Sequence, residues 1–358
     1  MIDNYKDLDS HKLDFHLEEV LAWKRGETVF PIHLDVGPSG GCVYQCVHCY
    51  LKWYGHKPRF LSEEVMDNII EDGVAHNLKS IFLAGSGEPL LNPYTPQFIV
   101  KAKEAGIDMA MATNGLLMKE SVSEKVIPYL NWIRFNVLAY SKDTFSELHG
   151  TPPESRDKVF RNIRAFVRGR NRTGAHVGTG IGTCILPQAT GELEDLIRFA
   201  KDAGVDYISL RPVSLNERNE FRVSNSALYH ELSDRFADWE ARYSDNGFRV
   251  LIRRNLFLDS CQAEKEYGQC YGIHFISQID ADGGIYACGC FVGDARYRFG
   301  NLNDQSYKEI MASPKRADVL NYVMPIPDPE YCDTSCRCHN INKYLWRHRH
   351  PPRDVNFI

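Results

Sequence analysis

Apolar positions recur along the first two thirds of the chain with two different periods. Six short runs, IHLDV (32–36), SIFLA (80–84), DMAMAT (108–113), WIRFNVLAY (132–140), GTGIGTCIL (178–186) and YISLRP (207–212), are mostly β-branched or apolar. That is the pattern of strands buried on both faces of a parallel sheet. Between them, LSEEVMDNIIEDGVAHNL, NPYTPQFIVKAKEAG, RDKVFRNIRAFVRGR and GELEDLIRFAKDAG place apolar residues three to four apart and predict amphipathic helices. In the first the stripe is Val65, Met66, Ile69 and Ile70. In the last it is Leu193, Leu196, Ile197 and Ala200, with Gly204 positioned to end the helix in a left-handed cap. Strand and helix alternating about six times predicts an α/β layer architecture, either a barrel or an open sheet.

The pattern changes after about Asn255. ISQIDADGGIY predicts a hairpin around Asp282, Gly283 and Gly284, followed by GNLNDQSYKEIM, a proline-rich stretch and CDTSCRCHNINKYLW. This gives residues 1–29 as an N-terminal extension, 30–254 as the barrel, 255–345 as a small cysteine-rich domain and 346–358 as a tail. The small domain has too little apolar sequence for its own core, so metal is the expected staple.

Composition narrows the function classes. The 358 residues are 43% hydrophobic and 25% charged with a net charge of −5, which excludes wholesale disorder and gives no overall attraction to nucleic acid or anionic lipid. No apolar run approaches a membrane span and the opening residues lack a signal-peptide core, so a cytoplasmic location is expected. Eleven cysteines in a reducing compartment point to metal or redox chemistry rather than disulfides. They fall into a triplet (Cys42, Cys46, Cys49), a lone Cys184, and a group from Cys261 to Cys338.

GGCVYQCVHCY spaces the triplet as Cys-x3-Cys-x2-Cys in the loop leaving the first strand, on the face where barrel active sites lie. Three thiolates so close together can hold a cubane iron-sulfur cluster and leave one iron open. The rival is a closed zinc centre completed by His33 or His48. With Ala84-Gly85-Ser86-Gly87-Glu88-Pro89 after the second strand and Thr113-Asn114-Gly115 after the third, the chain resembles the radical S-adenosylmethionine (radical SAM) superfamily. The resemblance implies an α/β fold, a partial (β/α)6 TIM-like barrel, in which Cys42, Cys46 and Cys49 hold a 4Fe-4S cluster whose open iron takes SAM. It further implies that Ser86, Gly87, Glu88, Asn114 and Asn136 contact that cosubstrate, and that a protein such as flavodoxin or ferredoxin delivers electrons.

The C-terminal cysteines resemble the SPASM/twitch extension of these enzymes. By that resemblance Cys270, Cys288, Cys332 and Cys336 hold one auxiliary 4Fe-4S cluster, with Cys338 a rival for either of the last two and a second auxiliary cluster the alternative. Cys184, Cys261 and Cys290 are left over; each is either a buried small hydrophobe or a hydrogen-atom donor to a substrate radical. Arg211 and Arg253 are placed to meet a carboxylate or phosphate in the barrel mouth. No leader-binding segment is evident before the first strand, so the expected substrate is a small polar molecule: a sugar, aminocyclitol or nucleotide sugar. Dehydrogenation of a carbinol is the expected reaction. The alternatives are epimerisation with a cysteine donor, maturation of a ribosomally made peptide, and a metal-stabilised binding module without catalysis.

Overall fold

The computed structural model describes residues 11–214, 221–259, 265–327, 332 and 336–357. Its strands are β1 (His33–Val36), β2 (Ser80–Leu83), β3 (Asp108–Thr113), β4 (Trp132–Asn136), β5 (Gly178–Cys184), β6 (Tyr207–Arg211), β7 (Arg249–Ile252), β8 (Ile276–Ile279), β9 (Gly284–Tyr286) and β10 (Arg298–Asn301). They form one continuous sheet in the order β10-β9-β8-β1-β2-β3-β4-β5-β6-β7. β1 to β7 are parallel neighbours in chain order, as right-handed crossovers give. All six expected strands are present, and a seventh, β7, extends the barrel.

The helices pack on the outer face as their stripes require. Glu63–Ala75 starts at Ser62, whose hydroxyl accepts from the Val65 N–H, and buries Val65, Met66, Ile69 and Ile70. Leu193–Ala203 ends at Gly204 with φ +76°, the left-handed cap that glycine adopts at no steric cost.

The inner face is cut differently. Alternation puts Gly178, Gly180, Gly182 and Cys184 of β5 on one side. A Cβ at Gly180 would lie 2.2 Å from the Tyr207 ring, and one at Gly182 2.6 Å from Arg134 Cδ. The glycine row therefore makes room for the Tyr207 and Arg134 side chains inside the barrel. Phe82, Ala110, Ala112 and Trp132 form a separate apolar floor there, over which Arg134 lies 5.9 Å from the Phe82 ring and 6.0 Å from the Trp132 ring.

The cysteine-rich region continues the barrel sheet. The expected hairpin is β8-β9, and β8 pairs in parallel with β1, His33 opposite Ile276 and Val36 opposite Ile279. Its apolar residues Ile279, Ile285, Phe299, Ile310 and Leu320 join the main core. The N-terminal extension packs against the far end of the chain: Val20 and Trp23 are buried with Tyr271, Phe275, Ile341 and Leu345. One helix, Cys338–Arg349, runs through the boundary drawn at 345, and Arg349 donates to the Trp23 carbonyl at 2.9 Å. Residues 346–349 are thus part of the folded body.

Candidate active site

The loops that carry the cysteine triplet, Ser86 to Glu88 and Asn114 leave the C-terminal ends of the parallel strands β1, β2 and β3. The loop bearing Cys42, Cys46 and Cys49 follows β1 and is held by three neighbours. Glu88 N–H donates to the Gly41 carbonyl at 2.8 Å. Gln45 and Val47 N–H groups donate to the carbonyls of His149 and Leu148 at 2.9 and 3.0 Å, satisfying the open carbonyls at the end of the helix Lys142–His149. Gly150, at φ +56°, lets the chains approach, since a Cβ there would lie 2.7 Å from the Gln45 carbonyl oxygen.

Burial pushes the Cys42 thiol up to about 11, with the charges of Glu88 and Cys49 acting in the same direction. Cys46 is pushed well above its ordinary value by burial and by Cys42, Cys49 and Cys184, and Cys49 is raised by burial. Three half-buried thiols whose negative charges repel one another call for a cationic partner, and iron in a cubane would supply it; the donor set fits the cluster.

Hydrogen bonds converge on these sulfurs. His149 Nδ1 stands 3.3 Å from Cys46 Sγ, His56 Nε2 3.8 Å from Cys49 Sγ, and Asn114 Nδ2 4.0 Å from Cys42 Sγ. His56 Nδ1 lies 2.9 Å from the Ser86 carbonyl, which only accepts, so in a neutral ring the nitrogen facing Cys49 is the bare one. Sequence spacing marks neither histidine, because both act across the fold.

The residues expected to meet SAM are brought together with different freedom. Glu88 is buried and its carboxylate accepts from Thr113 Oγ1 at 2.6 Å, Asn114 N at 2.8 Å and Leu90 N at 3.2 Å. Burial raises its pKa against those donors, and one of about four lone-pair sites is left for a further donor. The Ser86 hydroxyl is bonded to Asp280 and so turned toward the hairpin. Gly87 has its position filled by backbone: a Cβ would lie 1.9 Å from the Gly41 oxygen. Asn114 accepts from Leu116 N at 2.9 Å. Asn136 Oδ1 is buried without a hydrogen-bond partner at the end of β4, an acceptor that suits a ribose hydroxyl.

Asp280, wholly buried, is the junction that the sequence did not reveal. It receives Tyr54 Oη at 3.1 Å and faces Arg59 at 3.8 Å as well as Ser86, so the loops after β1, β2 and β8 meet on one carboxylate. On the inner face Arg337, between Cys336 and Cys338, donates to Asp35 of β1 at 2.8 Å. Burial opposes the Asp35 charge, but Arg337 and His33 hold its pKa below the usual value.

Cys184 faces the interior as expected, paired in register with Arg211. Burial raises its pKa, but Arg211 and His48 overcome that and bring it down to about 6. Arg134 is lowered to about 10 by burial and by the charge of Arg211. The Nε atoms of Arg134 and Arg211 are both buried without hydrogen-bond partners. Arg253 follows β7, and its charge acts on Tyr207.

The second thiol group also assembles. The Cys270 thiol is lowered by its hydrogen bond with Cys338, whose own pKa is raised well above the ordinary value by Cys270 and Cys336. Cys288 is raised by Cys290 and by burial, and Cys332 to about 12 by burial and then Cys336. Asn342 Nδ2 donates to Cys270 Sγ at 3.3 Å. Cys290 therefore stands with the expected auxiliary ligands rather than apart from them, while Cys261 lies outside the described residues. Among the described residues no three Cys, His, Asp or Glu side chains converge as a single metal ion requires.

Comparison with known proteins agrees with this geometry. The chain is 24% identical over 195 residues to dTDP-4-amino-4,6-dideoxy-D-glucose ammonia-lyase of Streptomyces venezuelae, covering 51% of this chain and 40% of that one. It is 20% identical over 322 residues to the tungsten-containing aldehyde ferredoxin oxidoreductase cofactor-modifying protein of Pyrococcus furiosus, covering 82% and 85%. Among solved structures, Streptococcus suis SuiB bound to S-adenosylmethionine matches with TM-score 0.66 and 16% identity over 90% of this chain and 77% of that one. Native anSMEcpe with bound AdoMet matches with TM-score 0.60 and 18% identity over 90% and 98%. The Radical SAM superfamily pattern spans residues 36–200 and that of the SPASM iron-sulfur cluster-binding domain residues 270–339; the chain belongs to the radical SAM superfamily and carries a C-terminal SPASM domain.

Proposed function

We propose that this radical SAM enzyme modifies a ribosomally made peptide by hydrogen abstraction. The observation that carries the reading is the likeness over 90% of the chain to SuiB, which has also been solved bound to its precursor peptide SuiA, with anSMEcpe, solved with the Kp18Cys peptide, in support. When bound, the 4Fe-4S cluster and SAM supply a 5'-deoxyadenosyl radical by one-electron cleavage of the C5'–S bond, and the auxiliary centre offers an acceptor for the electron left on the substrate.

The chain's own residues set the conditions. Cys42, Cys46 and Cys49 hold the cluster, Glu88 and Asn136 offer acceptors to SAM, and Cys270, Cys288, Cys332, Cys336 and Cys338, joined by Cys290, supply the auxiliary ligands. The apolar floor of Phe82, Ala110, Ala112 and Trp132 keeps water from the interior. Arg134 and Arg211 present buried guanidinium nitrogens to an anionic group such as an acidic side chain, with Arg253 near the same space. Cys184 would return a hydrogen atom, turning abstraction into epimerisation, only from its protonated thiol, the minor form at neutral pH once Arg211 and His48 have brought it down to about 6. Electrons would come from a flavodoxin or ferredoxin.

A second reading, an anionic small molecule such as a nucleotide sugar, is favoured by the same arginines and by the similarity to the ammonia-lyase. One experiment separates the two. Anaerobically reconstituted protein with dithionite and SAM is given either candidate precursor peptides, taken from any short reading frames beside its gene, or a series of dTDP-sugars. The peptide is expected to raise 5'-deoxyadenosine formation and to change in mass or residue configuration; turnover of a sugar with no response to peptide overturns the first reading. Cys184→Ala is expected to keep 5'-deoxyadenosine formation and lose an epimerised product.

A further inference from the structure

The ring of His149 is fixed at both nitrogens. Leu138 N–H donates to Nε2 at 3.1 Å, and a backbone amide can only donate, so Nε2 must be the acceptor. The ring proton is then on Nδ1, and Nδ1 stands 3.3 Å from Cys46 Sγ. No rotation of the ring relieves this assignment, because the side chain is buried at 2% exposure and packed between Phe145, centroids 4.2 Å apart, and Tyr44, 5.1 Å apart.

The backbone holds the same pair in register. The His149 and Leu148 carbonyls accept from Gln45 and Val47, the residues on either side of Cys46. Donor and sulfur are therefore locked together by two main-chain bonds as well as by the ring. His56 at Cys49 is the contrast, since its proton is spent on the Ser86 carbonyl.

We propose that His149 is a positioning residue of the SAM-binding cluster: its Nδ1–H donates to the Cys46 thiolate, favours the reduced state, and makes Cys46 electronically distinct from Cys42 and Cys49. Hydrogen bonds to ligand sulfur are among the determinants of cluster potential, because they stabilise added negative charge. The cluster becomes easier to reduce by a physiological donor.

The test uses the reconstituted holoenzyme and reads the reduced cluster whose EPR signal responds to SAM. His149→Phe keeps an aromatic ring between Phe145 and Tyr44 but removes the donor; His149→Gln can keep both an acceptor for Leu138 and a donor for Cys46. At a fixed solution potential, H149F is expected to lower the reduced-to-oxidised ratio about tenfold, equivalent to about 59 mV for one electron, with H149Q restoring most of it and iron content unchanged. Independently, wild-type protein labelled with 15N-histidine is expected to show a 15N coupling and an exchangeable proton on that signal. An unchanged ratio in iron-replete H149F overturns the proposal. Should H149F not retain iron, absence of the 15N coupling in the wild type overturns it.

Discussion

Gly87 tests whether the cysteine loop and the loop after β2 form one rigid cradle. Its φ is not in the left-handed region, so alanine introduces no backbone strain there and acts through its methyl group alone. That carbon would lie 1.9 Å from the Gly41 oxygen and 2.6 Å from the Gly41 carbonyl carbon, both main-chain atoms that no rotamer change can remove. The loops must part, which breaks the 2.8 Å bond from Glu88 N–H to Gly41 O. Overpacking costs about 1–3 kcal/mol, and a buried amide left unpaired about 1–3 kcal/mol more, so Gly87→Ala should destabilise by about 3 kcal/mol. At about 2.1 cal/mol/K per residue, this lowers the melting temperature of 358 residues by about 4 °C. Denaturation of the metal-free protein measures the cost, and equilibrium binding of SAM to the reconstituted protein measures the cradle, where a loss of more than tenfold is expected. Gly191→Ala, which meets nothing within 4 Å, is the control and should be neutral or slightly stabilising. If G87A matched G191A in both stability and SAM affinity, the loops would not be in the contact described.

Three further outcomes are expected. Burial, with Arg316 and Arg349, lowers His274 to about 4; its folded pKa lies below the ordinary 6.5, so its contribution is full above pH 6.5 and lost as pH falls toward 4, about 2 kcal/mol of it by pH 5. Denaturation of metal-free protein at pH 7 and pH 5 should show that slope on top of the share from His149, which burial also lowers to about 3, and His274→Gln should reduce the difference by about 2 kcal/mol. Arg337→Leu removes the bond from the Cys336–Cys338 segment to Asp35 and should cost about four irons per chain while SAM cleavage without substrate persists, as iron analysis and 5'-deoxyadenosine assays would show. Cys290→Ala should likewise lower iron content if Cys290 is an auxiliary ligand; full iron would return it to the pool of hydrogen donors.

What could be read in the sequence was what repeats locally. The strands β1 to β6 announce themselves because their outward residues, such as Leu34, Ile81, Met111 and Ile133, are uniformly apolar, and the first cysteine triplet because its three ligands lie within eight residues. β7 was missed because only four residues, RVLI, are strand and arginines flank its apolar core. The helix Asn225–Tyr243 was missed as well, its apolar positions diluted by charge. Asp280, His149, Arg134 and Arg337 were illegible for another reason: each matters through a partner far away in the chain, and a charged residue inside a barrel looks in sequence like any surface residue. The attachment of the cysteine-rich domain to the barrel was illegible in the same way, since β8 finds its partner in β1, about 240 residues earlier by the register of His33 with Ile276.

That pairing sets the relation between the two thiol groups. Cys42, Cys46 and Cys49 follow the C-terminal end of β1. β9 runs antiparallel to β8 with Tyr286 opposite Gln278, so the chain is heading toward the His33 end of β1 as it leaves the strand for Cys288, two residues further on. A four-residue strand is about 13 Å long, which puts the groups at two ends of one barrel interior rather than in two bodies. Asp35 and Arg337 lie between them, and Tyr50 lies within electrostatic reach of both Cys49 and Cys290. Under the proposed function, a substrate met by Arg134 and Arg211 in that space would have a hydrogen acceptor toward one end and an electron acceptor toward the other. Abstraction and oxidation would then act on one bound molecule without its turning, with the continuous hydrogen-bonded sheet keeping the separation fixed.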